Sequence, residues 1–417
     1  MAQCAARMNS AAASGALGPR CFRAINHDSR VPPLRQRNVV RLGVAASTEP
    51  KAEQEAILPQ SGALRRLVAL ARGLRNSLKA FIRLFGRRKE QREVMTILVT
   101  GASAGIGLEL AKLLRDGPHR LALTARAASL DRFGEEGFVE GERLLLLPLD
   151  VTAEDQRRAA VNTIEARWGG VDVLVNNAGI SYRAVAEHVT EAERLAQLDA
   201  NFLGPMELIR LVLPHMRSQR YGRIINVSSV GGMTAMPTMS IYSASKFALE
   251  GASESLWYEM RPFGVHVSLV RPGFINSDGF RKVRFTEQGQ RALDDPSDPY
   301  HAHYVNMDEL ISGLMTLTFY TPRDVAETIL DVIESKNPPL WVAGTLDARL
   351  FDILRRIIPS GLYHRLLYAG LPRIWRWGQS GSHALSSLPP KAQGRRAKAP
   401  SRERTDLHPA GTERHGE

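Results

Sequence analysis

The chain has 417 residues, 55 basic and 43 acidic side chains, and two cysteines. Its formal charge of +12 is unevenly spread: residues 1–94 hold 18 basic and six acidic side chains, 379–417 hold seven and four, and the stretch between is net −3. The charge therefore gives no case for nucleic-acid binding by a central domain, and with both cysteines at Cys4 and Cys21 the core has neither a disulfide nor a thiolate metal site.

Residues 1–48 are rich in Ala, Ser and Arg and nearly free of acids, the composition of an organelle transit peptide, and VAAS at 44–47 reads as a chloroplast-type processing site. This predicts a plastid protein; the alternative is a bacterial or cytosolic protein whose true start lies near Met95. Residues 49–94 read as a linker. Within it, over 61–88, Leu64, Leu67, Val68, Ala71, Leu74 and Leu78 recur at three and four, with Arg65, Arg72, Lys79 and Arg83 opposite. That is a basic amphipathic helix suited to an anionic membrane surface, too often interrupted by charge to span it. Packing on the domain or on a partner is the alternative.

From Thr96, TILVTGASAGIGLELAKLL is an apolar β-rich run, a glycine turn with Gly101, Gly105 and Gly107 as G-x-x-x-G-x-G, and an apolar helical pattern. Such a strand-to-helix turn can present backbone amides to a pyrophosphate at a helix N-terminus. Further on, Ser229, Tyr242 and Lys246 stand in SSVGGMTAMPTMSIYSASKFA. Tyr242 and Lys246 are four apart, so a helix from Ser240 places them on one face. A free phenol titrates near ~10, and an ammonium one turn away favours its ionised form. Tyr242 could pass a proton to a carbonyl oxygen receiving hydride, or take one from an alcohol losing it, while Ser229 holds the same oxygen. An isolated Tyr-x-x-x-Lys pair is more often a chance surface feature, but this one follows the glycine turn.

From about Met95 to about Gly344 the chain resembles the short-chain dehydrogenase/reductase family. The resemblance rests on TGASAGIG at 100–107, NNAG at 176–179, Asn201 in DANFLG, SS at 228–229, YSASK at 242–246 and RPGFINS at 271–277. It implies an α/β fold over 95–345, a single Rossmann-type doubly wound parallel sheet of about seven strands with helices on both faces. It implies a catalytic set of Asn201, Ser229, Tyr242 and Lys246, with Asn201 holding a relay water and Lys246 binding the nicotinamide ribose and depressing the phenol pKa. The cofactor would lie on Gly101, Ser103, Gly105, Ile106 and Gly107, on Asp150 and Val151, and on Asn177, Ala178 and Gly179. Tyr242, Lys246, Pro272, Gly273, Ile275 and Ser277 would complete its site. Ser277 replaces the threonine that the family often has there and keeps the hydroxyl.

At the end of the second strand, LALTAR, an acidic residue would accept from a free ribose 2′-hydroxyl. The position holds Ala125 followed by Arg126, whose guanidinium suits a 2′-phosphate, so NADP(H) is expected over NAD(H). The rival reading has Arg126 stacking on adenine or pointing to solvent. Related domains also imply a homodimer through the helix carrying Tyr242.

The interval 274–320 is long enough for a substrate lid, in which Met307, Leu310, Ile311, Leu314, Met315, Leu317 and Phe319 could wall a large apolar cavity. A plain core face is the alternative. Arg281, Lys282 and Arg284 offer either a phosphate contact or a solvated patch. Residues 346–378 form a second basic amphipathic segment, similar in pattern to the C-terminal part of the 17β-hydroxysteroid and retinol dehydrogenase branch. Peripheral membrane contact is expected through 61–88 and 347–377, and 379–417 reads as a disordered tail. The expected activity is hydride transfer between NADP(H) and a lipophilic alcohol or ketone (terpenoid, steroid-like, carotenoid-derived or fatty-chain) at a membrane surface, with no nucleic-acid partner and no metal. A β-ketoacyl thioester reductase and a nicotinamide-binding scaffold are the alternatives.

Overall fold

A computed structural model describes residues 93–277 and 284–378. The transit-peptide, linker and tail readings, together with Arg281 and Lys282, lie outside the described residues.

TILV at Thr96–Val99 (β1) is buried at every position, as a strand covered on both faces of a parallel sheet must be. The chain continues through α1 (Gly105–Arg115), β2 (Arg120–Ala125), α2 (Asp131–Glu135), β3 (Leu144–Pro148), α3 (Glu154–Trp168) and β4 (Val173–Asn176). After the short β5 (Tyr182–Arg183) come α4 (Glu191–Leu198), a π-helical turn (Asp199–Leu203), α5 (Gly204–Ser218), β6 (Gly222–Val227), α6 (Ser240–Met260) and β7 (Val265–Arg271). Then follow β8 (Arg284–Phe285), α7 (Glu287–Asp294), α8 (His301–Leu317), α9 (Pro322–Glu334), β9 (Trp341–Ala343), α10 (Leu346–Ile357) and α11 (Ser360–Ala369).

Seven strands form one parallel sheet in the order β3-β2-β1-β4-β6-β7-β9. Side chains alternate across it, so Ile97 and Val99 of β1 face one layer and Leu98 the other. On the first face α1 and α9 bring Leu110, Leu114, Val325 and Ile329 into the core. On the second, α3, α5 and α6 contribute Ile164, Leu208, Val212 and Leu256. The expected doubly wound α/β sheet is what the chain forms. Its order reverses between β1 and β4, and the crevice outside their C-terminal ends is where such sheets take ligands.

A second, two-stranded parallel sheet pairs Tyr182 with Arg284 and Arg183 with Phe285. It ties the 274–320 segment to the loop after β4. The same attachment is reinforced by an ion pair between buried Arg183 and Asp308, and by the Tyr304 hydroxyl, which accepts from the Val185 amide at 3.1 Å.

Candidate active site

The glycine turn sits at the end of β1, and its glycines answer two needs. Gly101 and Gly105 have φ of 63° and 57°, which L side chains rarely adopt. Gly107 is required by proximity: a Cβ there would lie 2.4 Å from the Gly101 oxygen and 2.6 Å from Asn177 Nδ2. Asn177 Nδ2 donates to the carbonyls of Thr100 at 2.9 Å and Gly101 at 3.0 Å, while Thr100 Oγ1 accepts from the amides of Asn177 and Ala178, both at 3.0 Å. Thr100 is thus a brace that the sequence reading passed over, although it stands inside TGASAGIG. Helix α1 opens at Gly105 behind an extended Ala104 with no side-chain cap, so its first amides are directed at whatever anion enters the crevice. This cradle fits the pyrophosphate of a dinucleotide.

The other predicted cofactor contacts fall in two groups. Ile106, Asn177, Gly179, Pro272, Gly273, Ile275 and Ser277 line one cavity of about 330 Å³ together with Ser229, Tyr242 and Lys246. Ser103, Arg126, Asp150, Val151 and Ala178 lie outside its lining. Arg126 stands exposed just past β2, and Asp150 Oδ1 accepts from the Thr152 amide and hydroxyl at 3.0 and 2.7 Å.

Beyond β6 the chain carries Ser228 and Ser229 to the cavity. Ser229 is extended, and its Oγ accepts from the Gly231 amide at 3.0 Å. Helix α6 starts at Ser240, so Tyr242 and Lys246 stand one turn apart and both face the cavity. Lys246 Nζ donates to the Val227 carbonyl at 2.9 Å. Burial lowers its ammonium to about 8, with the Glu250 carboxylate pulling the other way. Burial also pushes the Tyr242 phenol up, and the opposing pull comes from its hydrogen bond with Ser229. The expected depression of the phenol by Lys246 is not seen in this site, where desolvation dominates and the opposing pull comes from Ser229.

Asn201 is placed differently from its three partners. It lies in the π-helical turn, a distortion that recurs at functional sites, and it is not among the cavity-lining residues. Its Oδ1 accepts from the Ile180 amide at 2.8 Å, and its Nδ2 donates to the Ile180 carbonyl at 2.9 Å and to Ser245 Oγ at 3.0 Å. Ser245 Oγ in turn donates to the Tyr242 carbonyl at 2.7 Å. The side chain thus braces α6 against the loop after β4, and both Nδ2 hydrogens are committed.

Residues 95–288 match the family model for short chain dehydrogenases. Over 277 residues the chain is 35% identical to a 3-ketodihydrosphingosine reductase of Bacteroides thetaiotaomicron, an alignment covering 66% of this chain and 97% of the relative. The chain belongs to the short-chain dehydrogenase/reductase family. It is also 35% identical over 290 residues to retinol dehydrogenase 8 of Bos taurus, covering 68% of this chain and 91% of that one. A solved short-chain dehydrogenase from Streptomyces avermitilis matches with a TM-score of 0.55 at 29% identity, over 66% of this chain and 98% of the other. Solved proteins of the same fold include complexes with NAD and with NADP.

Two features of this short-chain dehydrogenase/reductase were not foreseen. One is a buried charge network behind Lys246. Glu250 Oε1 accepts from Ser228 Oγ at 2.7 Å and Arg271 Nε at 3.0 Å, and Arg271 also reaches Glu250 Oε2 at 2.5 Å and Asp352 of α10 at 3.3 Å. Burial pushes the Glu250 carboxyl up, while Arg271, Ser228 and Lys246 favour its charge. The spacing of Lys246 and Glu250, four apart on one helix, was the signal for it. The other is a clamp: Thr345 Oγ1 accepts from the Gly273 amide at 2.9 Å and Asp347 Oδ2 from the Phe274 amide at 2.8 Å.

At its other end the cavity is apolar, walled by Met236, Met239, Phe274 and Ile311. Met307, Ile311 and Met315 of α8 are buried in one cluster with Met239. Leu317, expected on the same wall, is 66% exposed and faces away. Among the described residues no group of three or more His, Cys, Asp or Glu side chains could hold a metal ion.

Proposed function

We propose that this short-chain dehydrogenase/reductase uses NADP(H) to interconvert a lipophilic ketone and its alcohol, of fatty-chain, terpenoid, carotenoid-derived or steroid-like type. The observation that carries this reading is the cavity, which is polar where Ser229, Tyr242 and Lys246 meet and walled by methionine, phenylalanine and isoleucine beyond them. Two relatives, a 3-ketodihydrosphingosine reductase and a retinol dehydrogenase, support a lipid-derived substrate. Exposed Arg126, following Ala125 where an acid would favour a free ribose, supports NADP(H) over NAD(H).

When bound, the nicotinamide group supplies or accepts the hydride. The glycine turn and the first amides of α1 would hold the pyrophosphate, and Arg126 would pair with a 2′-phosphate. Ser229 Oγ and the Tyr242 hydroxyl grip the reacting oxygen, and Tyr242 delivers its proton during reduction or removes it during oxidation. Lys246 sets the charge behind the phenol, and Asn201 holds the catalytic helix in place through Ser245.

The test is turnover by the purified protein with NADPH and with NADH on a long-chain amino ketone, on retinal and on an acetoacetyl thioester. Reduction of the apolar carbonyls, faster with NADPH by about tenfold or more for a charge-assisted contact, is expected. Activity confined to the thioester reverses the substrate assignment in favour of a β-ketoacyl reductase. If Ala125→Asp combined with Arg126→Ala keeps the NADPH preference, the cofactor assignment fails. A scaffold role gains if Tyr242→Phe leaves the cellular phenotype intact.

A further inference from the structure

We propose that the outer face of α10 and α11 docks on an anionic lipid bilayer. Leu346, Leu350, Ile353 and Ile357 recur at four, three and four, which aligns them along one side of α10, and they are 62, 54, 42 and 73% exposed. The opposite side of the same helix sends Ala348 and Phe351 against Val230, Met233 and Met236. The row is therefore a face that this core leaves uncovered. On α11, Leu362 and Leu366 repeat the pattern one turn apart at 51 and 53% exposure, and Trp375 beyond it is 69% exposed. Tyr363 fixes which way α11 faces: it is buried, its hydroxyl 2.8 Å from Thr234 Oγ1. Scattered exposed leucines are ordinary, but a continuous apolar face marks a binding surface.

Charge selects the occupant. Residues 346–378 contain six arginines and two aspartates, and both aspartates are already held, Asp347 by the Phe274 amide and Asp352 by Arg271 and Arg356. Arg349 of α10 and Arg365 of α11 flank the apolar residues of their helices and are exposed, as is Arg376 beyond them. A face of leucine, isoleucine and tryptophan fringed by arginine matches acyl chains below anionic headgroups. A second copy of the same face would bring arginines against arginines. No helix among the described residues is long and apolar enough to cross a membrane, so the contact is peripheral. Leu371 and Trp377, just past α11, join the cluster of Met239, Met307 and Phe274, which places the docked surface next to the apolar end of the cavity.

The experiment uses the full chain and sedimentation with vesicles of phosphatidylcholine, alone or mixed with phosphatidylserine. Wild-type protein is expected to bind the mixed vesicles at least about tenfold more tightly than the neutral ones. The triple variant Leu350→Asn, Ile353→Asn, Ile357→Asn changes only exposed side chains, so its melting temperature and its turnover of a short water-soluble ketone are retained. Its vesicle affinity is expected to fall at least about tenfold. Undiminished binding by the triple variant overturns the proposal. So does sedimentation equilibrium showing that these substitutions split a dimer while vesicle binding persists, since the face would then join two copies. Failure of wild type to reduce any ketone tells against the proposed reaction and leaves the vesicle readout standing.

Discussion

Lys246 is a buried cation whose cost can be measured. Burial holds its ammonium at about 8, against 10.5 for a free lysine. That gap corresponds to roughly 3 kcal/mol at about 1.4 kcal/mol per unit. The unfolded chain keeps this proton up to the free value, whereas the folded chain releases it near pH 8. The penalty is therefore complete below pH 8 and shrinks as pH rises towards 10.5. Lys246→Met keeps the length of the side chain and removes the charge. Glu250 is not orphaned, because Arg271 and Ser228 still hold it. The substitution does lose the donor to the Val227 carbonyl, which costs about 1–2 kcal/mol when a buried acceptor is left unpaired. At pH 7 the variant, though inactive, should be more stable than wild type by about 1–2 kcal/mol, and by pH 9.5 this advantage should shrink by about 2 kcal/mol. Urea unfolding of both proteins without added nucleotide, at the two pH values, gives the difference directly, and titrating groups that do not interact with Lys246 cancel. A stability difference that does not move with pH, or a variant less stable than wild type at pH 7 by more than about 1 kcal/mol, refutes the reasoning.

Three further outcomes are expected. Tyr242→Phe should lower kcat by a factor of about a thousand, in the range that positioned acid–base groups contribute, while nucleotide binding followed by fluorescence is unchanged. Gly273→Ala would place a Cβ 1.9 Å from Asp347 Oδ2; it should lower stability by about 1–3 kcal/mol, measured by thermal unfolding, and Asp347→Ala in the same chain should recover part of the loss. Ile311→Trp fills the apolar end of the cavity and should raise KM for long-chain or retinoid carbonyls about tenfold or more while sparing a short ketone, as read from steady-state kinetics on both.

The parts of the fold legible in the sequence are those whose cause is local. β1 read as an apolar run because every one of its residues is buried and a strand covered on both faces has no polar alternation to hide it. The glycine turn and the Tyr242–Lys246 pair were equally plain, since a positive φ and a four-residue spacing are properties of neighbouring residues. The lid was read less well for a geometric reason. The buried line on α8 runs Met307, Ile311, Met315, and Leu317 sits about 200° round the helix from Met315. Apolarity alone did not say which arc faced inward. Thr345 and Asp347 were beyond reach because their partners at Gly273 and Phe274 are more than 70 residues away in sequence, and nothing at either end announces the other. Arg126 is a mixed case: its place after β2 was legible, but what its side chain meets depends on a ligand.

That pair of distant contacts changes what the C-terminal segment is. Read along the sequence, 346–378 is an amphipathic appendage beyond the domain. In the structure the N-terminal end of α10 holds two amides of the loop that lines the cavity, and Asp352 takes the free side of Arg271, whose other side holds Glu250 behind Lys246. A buried ion-pair network of this kind is weak evidence for net stability, because desolvation offsets most of the attraction, yet removing one member leaves a charge stranded. Deleting the segment would therefore loosen Gly273 and Phe274 and unbalance the charges next to Lys246 at the same time. The inner face of α10 belongs to the chemistry and its outer face to the surroundings. A helix that serves both makes whatever binds outside mechanically continuous with the wall of the site.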